Sequence, residues 1–247
     1  MKFLCSLLVA SLAFAADLPS GGSLLDRSIE RSGGAAAYAK AKSVVMTGTV
    51  EIVGHNISGP VSIYQQGEKS YTVIDLPGIG KAEEGFDGDV AWEANALQGA
   101  RIKDGAEKAA FVRMSRANLL SSWRKYYKTA RTLGAEDVEG KPAWKVELTP
   151  NDGPPEMFYF DRETSLLVRV TQTMTTAMGD ITFDAFMSDY RLTEGIQTPF
   201  LLTEKVIGQT LAMHFDRVSY TTALPDDRFD LPAPVKALVE KKKQQAQ

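Results

Sequence analysis

Residues 43–76 read SVVMTGTVEIVGHNISGPVSIYQQGEKSYTVIDL, and their rhythm has a period of two. Val44, Met46, Gly48, Val50 and Ile52 alternate with a set that includes Thr47, Thr49 and Glu51, the pattern of a strand buried on one face. His55-Asn56 and Gly67 punctuate the run, so it divides into strands at Ser43–Ile52, Ile57–Gln66 and Lys69–Leu76. Pro77-Gly78 and Asp87-Gly88-Asp89 then separate two further strand-like stretches, Lys81–Phe86 and Val90–Ala94. Connections this short join antiparallel neighbours, because a parallel crossover needs about a dozen residues or more.

The same rhythm continues toward the C-terminus. Trp144, Val146 and Leu148 alternate with Lys145, Glu147 and Thr149, and strands are predicted at Met157–Phe160, Ser165–Thr173, Asp180–Leu192, Thr198–Ile207 and Thr210–Tyr220. Between the two sets of strands the pattern predicts one long helix, Gly105–Lys128, opened by Asp104 with Glu107 three residues on. Upstream, Ser23 and Asp26 predict a helix start, Gly33-Gly34 its end, and Ala35–Ala41 a second short helix. Pro232 and Pro234 close the domain, leaving residues 233–247 as a polar tail expected to be mobile.

Lys2, the apolar run Phe3–Phe14 and Ala13-Phe14-Ala15 give the three-part pattern of a signal peptide cleaved after Ala15. Cys5, the sole cysteine, lies before most of the apolar run and not at the cleavage point, so it is expected to leave with the leader. The exported chain then has no thiol for a disulfide, a metal or catalysis. A net charge of −3 without a basic stripe argues against nucleic acid. With 44% hydrophobic residues, the stretch 16–232 can fill the core of one β-rich domain.

Three stretches together carry a resemblance: GFDGDVAWEAN at Gly85–Asn95, FYFDRETSLLVRV at Phe158–Val170 and SDYRLTEGIQTPFLLTE at Ser188–Glu204. With the Gly-Gly-ended N-terminal helix and the central helix, they make the chain similar to the outer-membrane lipoprotein-sorting proteins, the LolA-like periplasmic carrier superfamily. The resemblance covers about Leu24–Leu231 and lies in the order of elements. It implies an α+β fold: a curved antiparallel sheet forming an unclosed β-barrel, with helices covering the concave face. It further implies a periplasmic carrier or chaperone for lipids or lipid-modified proteins, working without a cofactor and with inner- and outer-membrane partner proteins. The alternative is a periplasmic sensor or protein-interaction module of the same fold without transport.

The residues suit a binding protein. Phe111, Met114, Leu119, Leu120, Trp123 and Tyr127 give the central helix an apolar side. Phe183, Met187, Met213 and Phe215 lie on late strands that are apolar on both faces, where a sheet solvated on one side would show polar residues. These ten are the candidate lining of an acyl groove, the methionines adapting to ligands of variable shape. An enzyme is not expected. His55 and His214 have no metal-ligand spacing, nucleophile and phosphate-loop motifs are absent, and Asp87 and Asp89 fit the turn they sit in. The chain is expected to be a monomer.

Overall fold

Ser20, not Ser23, starts the first helix. In the computed structural model, which describes residues 18–116, 119–176 and 179–245, the Ser20 hydroxyl accepts from the Ser23 amide at 3.1 Å, and α1 runs Gly21–Arg31. The expected signal peptide, residues 1–15, lies outside the described residues. Gly33 then turns the chain with φ of 134° into α2, Gly34–Lys40. A Cβ at Gly33 would stand 2.3 Å from the Gly195 carbonyl oxygen, so this position excludes any side chain. Gly33→Ala is expected to lower stability by about 1–3 kcal/mol through backbone strain, measurable by urea denaturation.

The strands are β1 (Ser43–Ile52), β2 (Ile57–Gln66), β3 (Lys69–Leu76), β4 (Gly80–Phe86), β5 (Ala91–Asn95), β6 (Gly99–Ile102), β7 (Tyr127–Val138), β8 (Lys141–Pro150), β9 (Glu156–Asp161), β10 (Leu167–Thr176), β11 (Gly179–Thr193), β12 (Ile196–Val206) and β13 (Gln209–Ser219). Among the described residues they form one antiparallel sheet in the order β6-β5-β4-β3-β2-β1-β13-β12-β11-β10-β9-β8-β7. It is a meander broken once: β1 pairs with β13 through Met46↔Val218 and Val50↔Met213, which makes β6 and β7 the two edges.

Those edges are consecutive in sequence, and this closes the architecture. Laid flat, thirteen strands would span about 58 Å. The helix α3 (Gly105–Met114), about 15 Å long, nevertheless touches both sides of the seam. Glu107 bonds Arg101 of β6, and Lys108 donates to the Asp89 carbonyl, while Arg113 bonds Glu156 of β9. The sheet is therefore rolled into an unclosed barrel with α3 lying across its opening.

The inner face carries two clusters of buried apolar residues. Leu24 and Leu25 of α1 pack with Leu119, Trp123 and Tyr127 on Val146, Leu148, Phe158 and Phe160. Tyr38 of α2 packs on Val50, Val61, Met213 and Phe215. Each fully buried side chain of this size contributes about 1.5–3 kcal/mol.

Three expectations need correction. The long helix over Gly105–Lys128 is not one helix: α3 ends at Met114, a 3₁₀ turn covers Leu120–Ser122, α4 is Trp123–Tyr126, and Tyr127 already belongs to β7. Ser115, whose hydroxyl bonds the Phe111 carbonyl, and the pair Ser121-Ser122 weaken helix propagation, and the following YKTARTLG favours a strand. The expected capping box is absent too. Asp104 sits at the cap position without bonding the helix and instead pairs with Lys242. Finally, the polar tail of 233–247 is helical over α5, Ala233–Gln245, which buries Val235. Pro234 in its first turn starts a helix, since its missing N–H would have had no partner there.

Candidate functional site

The helices leave part of the concave face uncovered. Register fixes which side chains share it. Ile52 pairs with both Ile57 and Leu211, Ile63 with Met46 and Thr72, and Leu202 with both Met213 and Met187. Val50 and Met213, on this face, are buried under α2. Around them Ile52, Ile57 and Leu211, nearer the β1–β2 turn, Leu202 beside Met213, and Ile74 and Ile63, farther along the strands, are only partly buried. Phe183, opposite Gln172 and Val206, continues the same apolar surface. The six isoleucines and leucines pack at the margin of the cluster under α2 and keep part of their surface open, so this stretch of the inner face is the candidate apolar groove.

Charged groups share this face of the sheet, where Glu84 pairs in register with Thr72 and Glu93. Lys103 Nζ contacts Glu93 at 2.6 Å, Glu84 at 3.4 Å and Glu107 at 3.7 Å, and lies 4.8 Å from the centre of the Phe111 ring. Burial disfavours the Lys103 ammonium, but the charges of Glu84 and Glu93 outweigh it and keep the group protonated. Burial holds the Glu84 carboxyl above the usual range against the pull of Lys103. Its side chain is nevertheless 42% accessible.

Among the described residues Glu204 of β12 has no such cation. Burial, followed by repulsion from Glu84, pushes its pKa up to about 7. Glu84 and Glu204 lie five strands apart, about 24 Å along a flat sheet. That one feels the other means they face across the curl.

A second polar group latches the roof. Glu156, buried on β9, accepts from Arg113 of α3, from the Tyr127 hydroxyl at 2.6 Å and from Gln172 Nε2 at 3.0 Å. Arg113 also donates to the Asp152 carbonyl at 3.1 Å and stacks its guanidinium on the Tyr127 ring. Burial and the Glu156 charge raise the Tyr127 pKa, so the phenol stays a donor. Beside α3 a pocket of about 320 Å³ is lined by Phe86, Lys108, Val112, Arg113, Arg116 and Tyr126.

The structure separates the ten candidate lining residues. Leu119, Trp123 and Tyr127 are buried in the cluster under α1, where Met114, Leu120 and Met187 join at the margin. Met213 and Phe215 are buried in the cluster under α2. Phe111 covers the Lys103 charge network, and Phe183 lies on the uncovered inner face. Sequence reading missed Ile52, Ile57, Ile63, Ile74, Leu202 and Leu211. Their alternation was visible, but which strand faces stay uncovered depends on where the helices stop. Asp87 takes the turn role expected of it, accepting from the amides of Asp89 and Val90.

No family model and no curated protein sequence matches the chain. Solved structures do. A DUF1329 family protein from Desulfovibrio piger aligns with a TM-score of 0.57 at 16% identity, over 88% of this chain and 100% of that one. A LolA superfamily protein from Nitrosomonas europaea gives 0.55 at 12% identity, over 87% and 99%. The fold is LolA-like. An outer membrane lipoprotein-sorting protein domain from Vibrio parahaemolyticus gives 0.53 at 14% identity, over 85% and 96%. At such identities the likeness is one of architecture. In this LolA-like sheet, the uncovered apolar stretch with Glu84 and Glu204 at its sides is the candidate ligand surface.

Proposed function

We propose that the chain is a periplasmic carrier that holds the acyl chains of lipids or lipid-modified proteins between its curled sheet and the α3 roof, without covalent chemistry. One observation supports this reading: Ile52, Ile57, Ile63, Ile74, Leu202 and Leu211 all stand on the inner face and stay partly exposed around the cluster under α2. Phe183 and Met187 extend it, and Phe111 lies at its α3 side. The fold neighbour described as a lipoprotein-sorting domain supports the same class of ligand.

A series of saturated acyl probes of increasing length tests it. Each buried methylene is worth about 0.8 kcal/mol, so affinity should rise about three- to fourfold per carbon until the hollow is full. Leu202→Gln should lower the affinity of the longest probe at least tenfold while leaving the fold intact by circular dichroism. Affinity that is independent of chain length, or native mass spectra from the host showing only empty protein, would refute the carrier.

A further inference from the structure

Of seven exposed large apolar side chains among the described residues, four sit at the tips of hairpins at one end of the sheet: Leu97 at 84% exposure, Ile207 at 71%, Val53 at 47% and Ile79 at 38%, with Leu18, Leu133 and Leu192 elsewhere. Strand pairing puts all four at one end of the sheet. The Val53 amide donates to the Thr210 carbonyl, so the β1–β2 turn lies beside the β12–β13 turn that carries Ile207. Gly59 of β2 approaches the Asp75 carbonyl, which brings the β3–β4 turn with Ile79 alongside. Gly80 meets Ala96, so the β5–β6 turn with Leu97 follows. Tips recur every second strand, about 10 Å apart. Ile52, Ile57 and Leu211, which line the hollow, lie one row below them.

Turn chemistry does not account for these residues. Ile207 has a φ of 46° ahead of Gly208 at 74°, a hairpin position that favours Asn or Asp and strains a β-branched side chain. A surface isoleucine kept there costs stability. The turns 53–56, 77–79, 96–98 and 207–208 also contain no Asp, Glu, Lys or Arg.

From these observations we infer that the rim formed by the four tips docks on a phospholipid bilayer, each apolar side chain entering the boundary between headgroups and acyl chains. The absence of formal charge fits insertion, since a charged residue resists leaving water. The spacing fits a fluid partner: single side chains on separate turns enter hydrocarbon separately, whereas a protein partner would need one contiguous, complementary patch. The inference rests on the carrier reading only for its purpose, which is to bring the mouth of the hollow to the lipid.

The test is sedimentation with mixed phosphatidylethanolamine and phosphatidylglycerol vesicles. Wild type should pellet with the vesicles. The fourfold variant Val53→Ser, Ile79→Ser, Leu97→Ser, Ile207→Asn should partition at least tenfold less. Binding should persist when salt is raised from about 0.1 to about 1 M, since it is not electrostatic. Ile207→Asn alone should raise the melting temperature while weakening binding, which separates lost docking from lost folding. Wild type left in the supernatant would overturn the proposal, as would equal binding by the variant. So would a wild-type dimer that the variant fails to form, because the rim would then serve a second copy. Vesicle binding without uptake of a soluble acyl probe would sustain the rim and sink the carrier. Uptake retained by the fourfold variant would show the two to be separate surfaces.

Discussion

Glu156→Ala should be the most damaging substitution outside the apolar clusters, lowering stability by about 3–5 kcal/mol. Arg113 and Glu156 are both buried, and removing the carboxylate leaves the guanidinium charged without its counter-ion. Tyr127 and Gln172 lose an acceptor in the same step. Chemical denaturation measures the loss. The pair is not expected to be indispensable as such: Arg113→Met with Glu156→Leu and Tyr127→Phe removes the buried charges and the phenol, leaving the neutral Gln172 amide to find a new acceptor, and should recover most of the stability. Because Arg113 is the tie between α3 and β9, the triple variant should also let acyl probes enter faster. Wild-type-like stability of Glu156→Ala would show that the network holds nothing.

The fold was legible where local pattern and tertiary environment agree. β2 and β3 begin and end where alternation and the turn residues put them. The resemblance to the lipoprotein-sorting proteins anticipated the unclosed barrel that the strand order displays. β6 and β7 were missed for opposite reasons. β6 is only Gly99–Ile102, too short for a period to declare itself, and β7 begins inside an apolar run that also reads as helix. The ligand surface was harder. Leu119, Trp123 and Met213 look the same in sequence as Ile63 and Leu202, and only the positions of α1 and α2 decide which are covered. Glu204 was invisible as a special residue. Its environment is made by Glu84, 120 positions away in the chain, and one-dimensional spacing carries no trace of two strands meeting across a curl.

That carboxyl leads to the second large effect, a dependence of stability on pH that runs opposite to ordinary acid denaturation. Glu204 has a pKa of about 7 in the fold against 4.5 for the free group. The folded chain therefore holds this proton more tightly than the unfolded chain, and the contribution is complete below about pH 4.5. It is lost as pH rises toward 7 and absent above that. The difference of about 2.5 pH units sets a ceiling of about 3 kcal/mol. Urea midpoints at about pH 5 and pH 8 should differ in that direction, and Glu204→Gln should flatten the difference by stabilising the chain at the higher pH. Ligand binding should follow the same sign. An acyl chain laid along Leu202 and Leu211 removes water from Glu204 and favours its neutral form further, so an uncharged acyl probe should bind more tightly at the lower pH. Glu204→Gln should reduce that preference, leaving the part due to Glu84, whose carboxyl burial also holds above the usual range. An unchanged pH slope in the variant would mean that Glu204 does not face the hollow at all.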